Sequence, residues 1–222
     1  DETLVKAASD KEASSSTVAV LCKRPRRPET SVAAARTGLM ADLFGAMLNA
    51  RFDEIGHRAN PPFLGAFCAS YQFTHGTNLY LVQAQVKDGE QAKGLEALLE
   101  ETGRVRAHGF LASEFDRARR EQIAQLERAY AEREKTESRG LAGNVVQAFL
   151  NGEPETGIEA SSILSRTLLS GIALGEVNAL ADTLISTRNR VVLADGPEKV
   201  GAPLPSEADL RAILERMGNA KP

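Results

Sequence analysis

The longest regular pattern of apolar and polar residues begins near Thr30. Apolar side chains then recur at spacings of three and four, at Leu39, Met40, Leu43, Phe44, Met47, Leu48, Phe52 and Ile55. This spacing places them along one stripe of an α-helix. Thr30 or Ser31 is a suitable N-cap, and Asn60-Pro61-Pro62 prevents continuation. We therefore predict one long helix whose apolar stripe packs against a sheet.

Five segments have the composition of β-strands. Residues 16–23 are rich in β-branched and apolar side chains, and residues 3–8 form a weaker candidate joined to them by the polar turn 9–12. Residues 63–74 and 79–87 are separated by His75-Gly76-Thr77-Asn78, which favours an antiparallel hairpin. The fifth candidate is 188–194. Strands that neighbour one another through hairpins predict a largely antiparallel sheet.

Further helices are predicted after the second hairpin. They cover 91–107, a long amphipathic stretch from Ser113 to Phe149, 158–169, 174–185, and a last helix through Met217. Ser113 to Asp116 and Ser206 to Asp209 are predicted capping boxes, and Gly140 and Gly143 are expected to bend or interrupt the long stretch. The element order is β-β-α-β-β-α-α-α-α-β-α. It predicts one α+β domain over residues 1–222, with the helices packed on one face of the sheet.

The amino-acid composition and net charge bear on which classes of binding partner to expect. The 222 residues are 42% hydrophobic and 26% charged, with a net charge of −3. This composition is ordinary for a globular domain and gives no electrostatic reason to expect a nucleic acid or an anionic membrane. The sequence also contains no uninterrupted apolar span of membrane length and no signal sequence at its start. Cys22 and Cys68 are interpreted as buried free thiols, with a disulfide left as the alternative.

The polar residues do not form a recognisable catalytic motif. Zinc peptidases need converging ligands such as H-x-x-E-H, but His57, His75 and His108 each lack a second histidine within four residues. We expect these histidines to be solvated or to cap helix ends. The carboxylate-rich run 132–137 contains Arg133 and Lys135 and is interpreted as a salt-bridged surface rather than a metal site. We therefore name no catalytic, cofactor-binding or metal residue in the chain.

Several segments occur together in an informative order. They are residues 10–20, 48–54, 61–63, Gly109-Phe110 with Glu114 to Arg119, 152–159, 168–178, 189–193 and 196–199. In this order and spacing they resemble the insulinase/pitrilysin family of zinc metallopeptidases, over about residues 3–200. The resemblance implies a family built from repeated α+β domains, paired into two halves that enclose a peptide chamber. The zinc-binding H-x-x-E-H belongs to the first of these domains.

The same resemblance indicates which kind of domain this is. The chain lacks H-x-x-E-H, so no zinc ligand is carried over. Some later domains of the family supply an Arg and a Tyr near the second hairpin strand, whereas residues 79–88 contain no arginine. This favours the second domain of the amino-terminal half.

The resemblance also implies a function. The chain is expected to be a non-catalytic, chamber-forming domain that is inactive alone, while the parent zinc endopeptidase hydrolyses peptides with zinc held in its catalytic domain. Expected partners are that zinc domain, the other domains and peptide substrates, which a sheet edge could bind by strand addition. The alternative is a stand-alone, non-catalytic assembly subunit; a free-standing hydrolase with an unrecognised site is a third reading. A periplasmic setting is slightly favoured over a cytoplasmic one.

Overall fold

Five strands form one mixed sheet in the computed structural model, which describes residues 3–219. The strands are β1 (Leu4–Asp10), β2 (Ser16–Pro25), β3 (Gly65–Thr74), β4 (Thr77–Val86) and β5 (Arg190–Pro197). Their order across the sheet is β1-β5-β2-β4-β3. The β3–β4 hairpin is present as predicted, with Cys68 opposite Val82.

The first two strands do not form a hairpin, and the predicted pairing of residues 3–8 with 16–23 is wrong. β5 lies between them: it runs parallel to β1, with Val5 beside Val192, and antiparallel to β2, with Val20 opposite Val192. All three valines are buried, so the insertion lets β5 cover apolar side chains of both neighbours. The remaining pairs are antiparallel, so the prediction of a largely antiparallel sheet is confirmed.

Eight α-helices and a short 3-10 helix complete the described part of the chain. They are α1 (Val32–Gly56), α2 (Gln91–His108), α3 (Ala112–Ala131), the 3-10 helix Arg133–Lys135, α4 (Ser138–Asn151), α5 (Gly157–Ser170), α6 (Leu174–Ala179), α7 (Ala181–Leu184) and α8 (Glu207–Asn219). Some helix boundaries differ from prediction. The stretch 113–149 is broken by the polar run after Glu132, which has no apolar side chain to pack and where Thr136 is extended. The predicted interruption at Gly140 and Gly143 is wrong, because both glycines lie inside the continuous helix α4. Residues 174–185 form two short helices instead of one.

The helix caps test the sequence signals directly. Ser31 caps α1, because its hydroxyl accepts the Ala34 amide at 3.2 Å. Ser206 and Asp209 form the predicted reciprocal box, with each side chain accepting the other residue's amide. Ser113 is not a cap. The helix begins two residues earlier, after Leu111, whose amide donates to the Glu114 carboxylate at 2.6 Å.

The hydrophobic core lies between the sheet and the helices. The apolar stripe of α1 is buried as predicted, with Leu43, Phe44 and Leu48 fully inaccessible. Phe44 meets the rings of Tyr80 and Phe110 edge-on, at centroid distances of 6.4 and 5.1 Å. Each such fully buried side chain contributes roughly 1.5–3 kcal/mol.

Both cysteines lie in this core as buried free thiols, as predicted. Burial raises the pKa of Cys68 to about 11, so its thiol stays protonated at neutral pH. Burial also raises the pKa of Cys22.

Candidate functional site

A buried ionic cluster joins α1, α2 and α3. The Arg51 guanidinium donates to both oxygens of Glu114, at 2.7 and 2.8 Å, and to Glu101 at 3.0 Å. It also donates to the Gly109 carbonyl at 3.1 Å and lies 5.0 Å from the centroid of the Phe110 ring. We call this cluster the Arg51 junction. Its side chains are mostly buried, with Glu101 only 4% exposed.

The charges of the Arg51 junction stabilise one another. Burial alone would raise the pKa of Glu114, but the hydrogen bonds from Arg51 and from the Leu111 amide outweigh it and lower this pKa. The hydrogen bonds that Arg51 donates to Glu114, opposed by burial, raise the pKa of Arg51. With its donors used on protein acceptors, Arg51 holds three helices together.

Two segments that carry the family resemblance meet at this cluster. Arg51 lies in 48–54, and Gly109, Phe110 and Glu114 lie in 109–119. Sequence reasoning treated these segments separately and did not pair them. The only available signal was a positive charge within an otherwise apolar helix face, which calls for a buried partner.

The three histidines lie on separate elements. The His57 Nδ1 atom is 2.6 Å from the Asp53 carbonyl oxygen, so this side chain closes the end of α1. His75 is exposed in the turn of the β3–β4 hairpin, and His108 is the last residue of α2. Across residues 3–219, no three His, Cys, Asp or Glu side chains are grouped so that they could hold a metal ion.

The carboxylate-rich run lies on the surface and makes ion pairs. Lys135 lies 3.9 Å from Glu132, and Arg133 lies 3.9 Å from Glu159 of α5. Arg133 also stacks on Tyr130, at 4.4 Å from the ring centroid. Glu134 lies 3.8 Å from Arg133, so Glu132 and Glu134 of this run both have basic neighbours.

The most unusual surface is on α4. None of its 14 residues is buried, although its sequence is amphipathic. Leu141, Val145 and Phe149 recur every four residues and form one stripe, with Val146 and Leu150 beside it. These five side chains, which we call the α4 face, are exposed by between 52 and 84%. An amphipathic helix normally turns this stripe toward a core, and exposed apolar patches of this kind mark interaction surfaces.

The α4 helix is tied to the body of the domain at its end. The Arg26 side chain, which is almost fully buried, forms an ion pair of 2.5 Å with Glu153 just beyond the helix. The Glu153 carboxylate also accepts the Glu29 amide at 3.1 Å. The segment after α4 is thus fixed while the α4 face remains uncovered.

A second apolar surface lies on the side of the sheet away from the helices. On the edge strand β3, Phe67, Tyr71 and Phe73 are exposed by 46, 41 and 61%. Leu193 of β5 is exposed by 39%. The prediction that helices cover one face of the sheet is confirmed, and the other face presents aromatic and aliphatic groups.

The fold defines the class of protein to which the chain is similar: it is the α+β fold found in domains of insulinase-type (M16) peptidases. No family model matches the sequence. The first half of the periplasmic protease PqqL from Escherichia coli superposes with a TM-score of 0.89 at 18% identity, covering 100% of this chain and 48% of that one. An insulinase family protease, predicted as such, from Yersinia pestis superposes with a TM-score of 0.80 at 17% identity, over 97% of this chain and 46% of that one.

Sequence comparison identifies a particular relative. The Arabidopsis thaliana protein "Zinc protease PQQL-like" is 28% identical over 189 residues, which is 85% of this chain and 17% of that protein. The resemblance to the insulinase/pitrilysin peptidases is thereby confirmed. The chain spans less than a fifth of this relative and about half of each of the two structures. No described helix of the chain has the length and apolar character needed to cross a bilayer.

Proposed function

We propose that the chain is a non-catalytic structural domain of an insulinase-type zinc endopeptidase. In this proposal residues 1–222 form one domain, which contributes to the wall of the peptide chamber and supports the zinc domain. The parent protein hydrolyses peptides, and zinc is held by an H-x-x-E-H motif outside this chain.

The α4 face carries the proposal. A helix with an apolar stripe exposed by more than half at every position is poorly explained in an isolated domain. The relatives are much longer than this chain, so a neighbouring domain of the same polypeptide is the natural partner. Packing this domain on Phe149 and Val145 would remove them from water and fix the angle between the two domains.

The composition of the polar groups supports a non-catalytic role. The strongest constellation is the Arg51 junction, in which Arg51 pairs with Glu114 and Glu101, and Arg104 pairs with Glu101 as well. A general base or a metal ligand needs an accessible lone pair. The exposed aromatic groups of β3, by contrast, suit contact with extended peptides along the chamber wall.

A periplasmic setting is part of the same proposal. One of the matched structures is a periplasmic protease. The two buried free thiols are compatible with either compartment, because burial shields them from oxidants.

The first experiment tests whether the chain alone binds zinc or cleaves peptides. We expect the purified chain to bind no stoichiometric zinc and to leave a quenched fluorescent peptide uncleaved. Stoichiometric, chelator-sensitive zinc or zinc-dependent turnover by the chain would overturn the proposal.

The second experiment places Phe149→Glu and Val145→Glu together in the parent protein. A carboxylate on each position opposes desolvation of the α4 face, so we expect peptide hydrolysis to fall at least tenfold while zinc content stays unchanged. Gln147→Glu is the matched control, because it adds a carboxylate to an exposed position of α4 outside the α4 face. Equal activities for the double variant and the control would remove the α4 face from the proposal.

The alternative role, a stand-alone assembly subunit, predicts a different outcome. In that case the α4 face would bind a separate polypeptide, and no reading frame would join this chain to a zinc domain. The length of the mature protein, measured by intact mass, separates the two.

A further inference from the structure

A cavity of about 430 Å³ lies between α2, α8 and the segment that joins α7 to β5. Its walls are mainly aliphatic. They include Val20, Val82, Leu98, Leu184, Ile185 and Leu214. A space of this size and character fits the body of a small organic ligand. The cavity is separate from the α4 face, so a ligand bound in it is independent of the proposed function.

One wall of the cavity carries an arginine that has no counter-charge among the described residues. Arg190 is half-buried, and its Nε donates to the Thr3 hydroxyl at 3.3 Å. Within residues 3–219 it forms no ion pair with a carboxylate, whereas Arg106, also in the wall, pairs with Asp182 at 3.0 Å. Burial lowers the pKa of Arg190, which is the effect expected of a cation held away from water without an anion.

Tyr80 also lines the cavity, and its buried hydroxyl has no hydrogen-bond partner within residues 3–219. Tyr80 is 2% exposed, and its hydroxyl makes no hydrogen bond of ordinary geometry, although the Cys68 thiol is near. A thiol is a weak partner for a hydroxyl. The neighbouring Cys22 thiol is satisfied, because it donates to the Ser186 carbonyl at 3.2 Å. Buried polar groups left open in this way are uncommon in native proteins.

A glycine keeps the α2 side of the cavity open. Gly103 lies inside α2, lines the cavity, and would meet no atom within 4 Å if it carried a Cβ. Glycine is unfavourable in a helix interior, and here neither its φ angle nor close packing requires it. Free space is the feature that this residue provides.

We propose that this cavity binds an amphiphilic carboxylate, with its apolar chain between α2 and α8 and its carboxylate on Arg190. The planar guanidinium offers paired donors that match a carboxylate, which supplies the missing counter-charge. A chain of about ten carbons suits the volume. A free fatty acid and the carboxyl end of an apolar peptide share this chemistry, and the experiment separates them.

The experiment is calorimetric titration of the whole chain with decanoate below its micelle concentration. We expect saturable binding at one site. Octanoate should bind roughly tenfold more weakly, because it buries two fewer methylenes. Decanol, which lacks the charge, and Arg190→Gln should each weaken binding by about tenfold or more. A tetrapeptide acetylated at its amino end, with a free carboxylate on a final leucine, tests the peptide source: tighter binding than decanoate assigns the site to peptide ends, and weaker binding assigns it to fatty acids.

Further variants serve as controls for the binding experiment. Arg188→Gln removes an exposed charge two residues away, outside the cavity wall, and should leave binding unchanged. Phe149→Ser removes the most exposed apolar group of the α4 face and should also have no effect, which excludes binding there. Gly103→Phe should abolish binding by filling the cavity. If its melting temperature falls, Ala107→Trp at the exposed rim provides the same block.

Three results would overturn the proposal. They are absence of saturable binding of decanoate and of the tetrapeptide alike, equal affinities for Arg190→Gln and Arg188→Gln, or full affinity in a folded variant whose cavity is blocked.

Discussion

The Arg51 junction and the α4 face differ in the burial and the pairing of their side chains. In the junction, charged groups are buried but each finds a partner, with Glu114 held at 2.7 Å by Arg51. On the α4 face, apolar groups are exposed and find none, with Phe149 84% exposed. The groups of the junction are paired within this chain, whereas the proposed function assigns the α4 face to a partner. The proposal thus separates stability from docking in space, and this separation can be tested by substitution.

The largest effect is expected from breaking the junction. Arg51→Met keeps the length of the side chain but leaves the Glu114 carboxylate and the Gly109 carbonyl without their buried donor. We expect the free energy of unfolding to fall by about 3 kcal/mol, as for other buried pairs that lose one member. Urea denaturation measures it. Arg128→Met removes a surface pair that is 61% exposed and should cost no more than about 0.5 kcal/mol. Equal losses in the two variants would show that the junction is not a buried network.

A smaller effect is expected from pH. The pKa of Glu114 is lowered in the folded state, so its ionised form contributes stability above its unfolded pKa of about 4.3, and this contribution is lost as pH falls through the folded value. The stability difference between the native chain and Glu114→Gln should therefore shrink between pH 5 and pH 2. Glu176, whose pKa is lowered to about 2 by Arg36, titrates equally in both proteins and cancels. A pH-independent difference for Glu114→Gln would contradict the assignment.

A gain in stability is expected in α2. Gly103→Ala has room for its methyl group and removes a helix-interior glycine, so the free energy of unfolding should rise by about 0.5–1 kcal/mol. Thermal denaturation with and without decanoate is the measurement. Gly94 is the matched contrast, because its added Cβ would lie 2.5 Å from Val86, and Gly94→Ala should destabilise. Destabilisation by Gly103→Ala would mean that the space beside it is already filled.

The smallest effect on stability is expected at the α4 face. Phe149→Ser should change the free energy of unfolding of the isolated chain by no more than about 0.5 kcal/mol, since the side chain is exposed in both states. It should nevertheless reduce binding of a hydrophobic dye. A loss of 2 kcal/mol or more would show that Phe149 packs within this chain.

Local patterns in the sequence predicted the local elements well. The spacing of apolar residues identified α1, and the β3–β4 hairpin followed from a short turn between two apolar segments. Ser31 and Ser206 were recognisable as caps because their partners lie three residues away. Ser113 was misassigned because a serine and an acidic residue near a helix start do not fix the first residue. Here the N-cap is Leu111, whose amide donates to the Glu114 carboxylate.

Long-range relations were not predictable from these patterns. The position of β5 between β1 and β2 joins segments almost two hundred residues apart, and apolar alternation does not specify which strand lies beside which. The contact of Arg51 with Glu114 and the position of Arg190 in the cavity wall likewise depend on tertiary placement. Resemblance to a family supplied the fold where periodicity could not.

Strand β5 is synthesised long after β1 and β2, the two strands with which it pairs. Neither β1 nor the free side of β2 can pair until the ribosome has made residues 190–197, so most of the polypeptide emerges with unpaired strand edges. Nascent chains should therefore require chaperone protection until that point. Any fragment that stops before β5 is expected to aggregate, so a useful expression boundary must lie beyond Pro197.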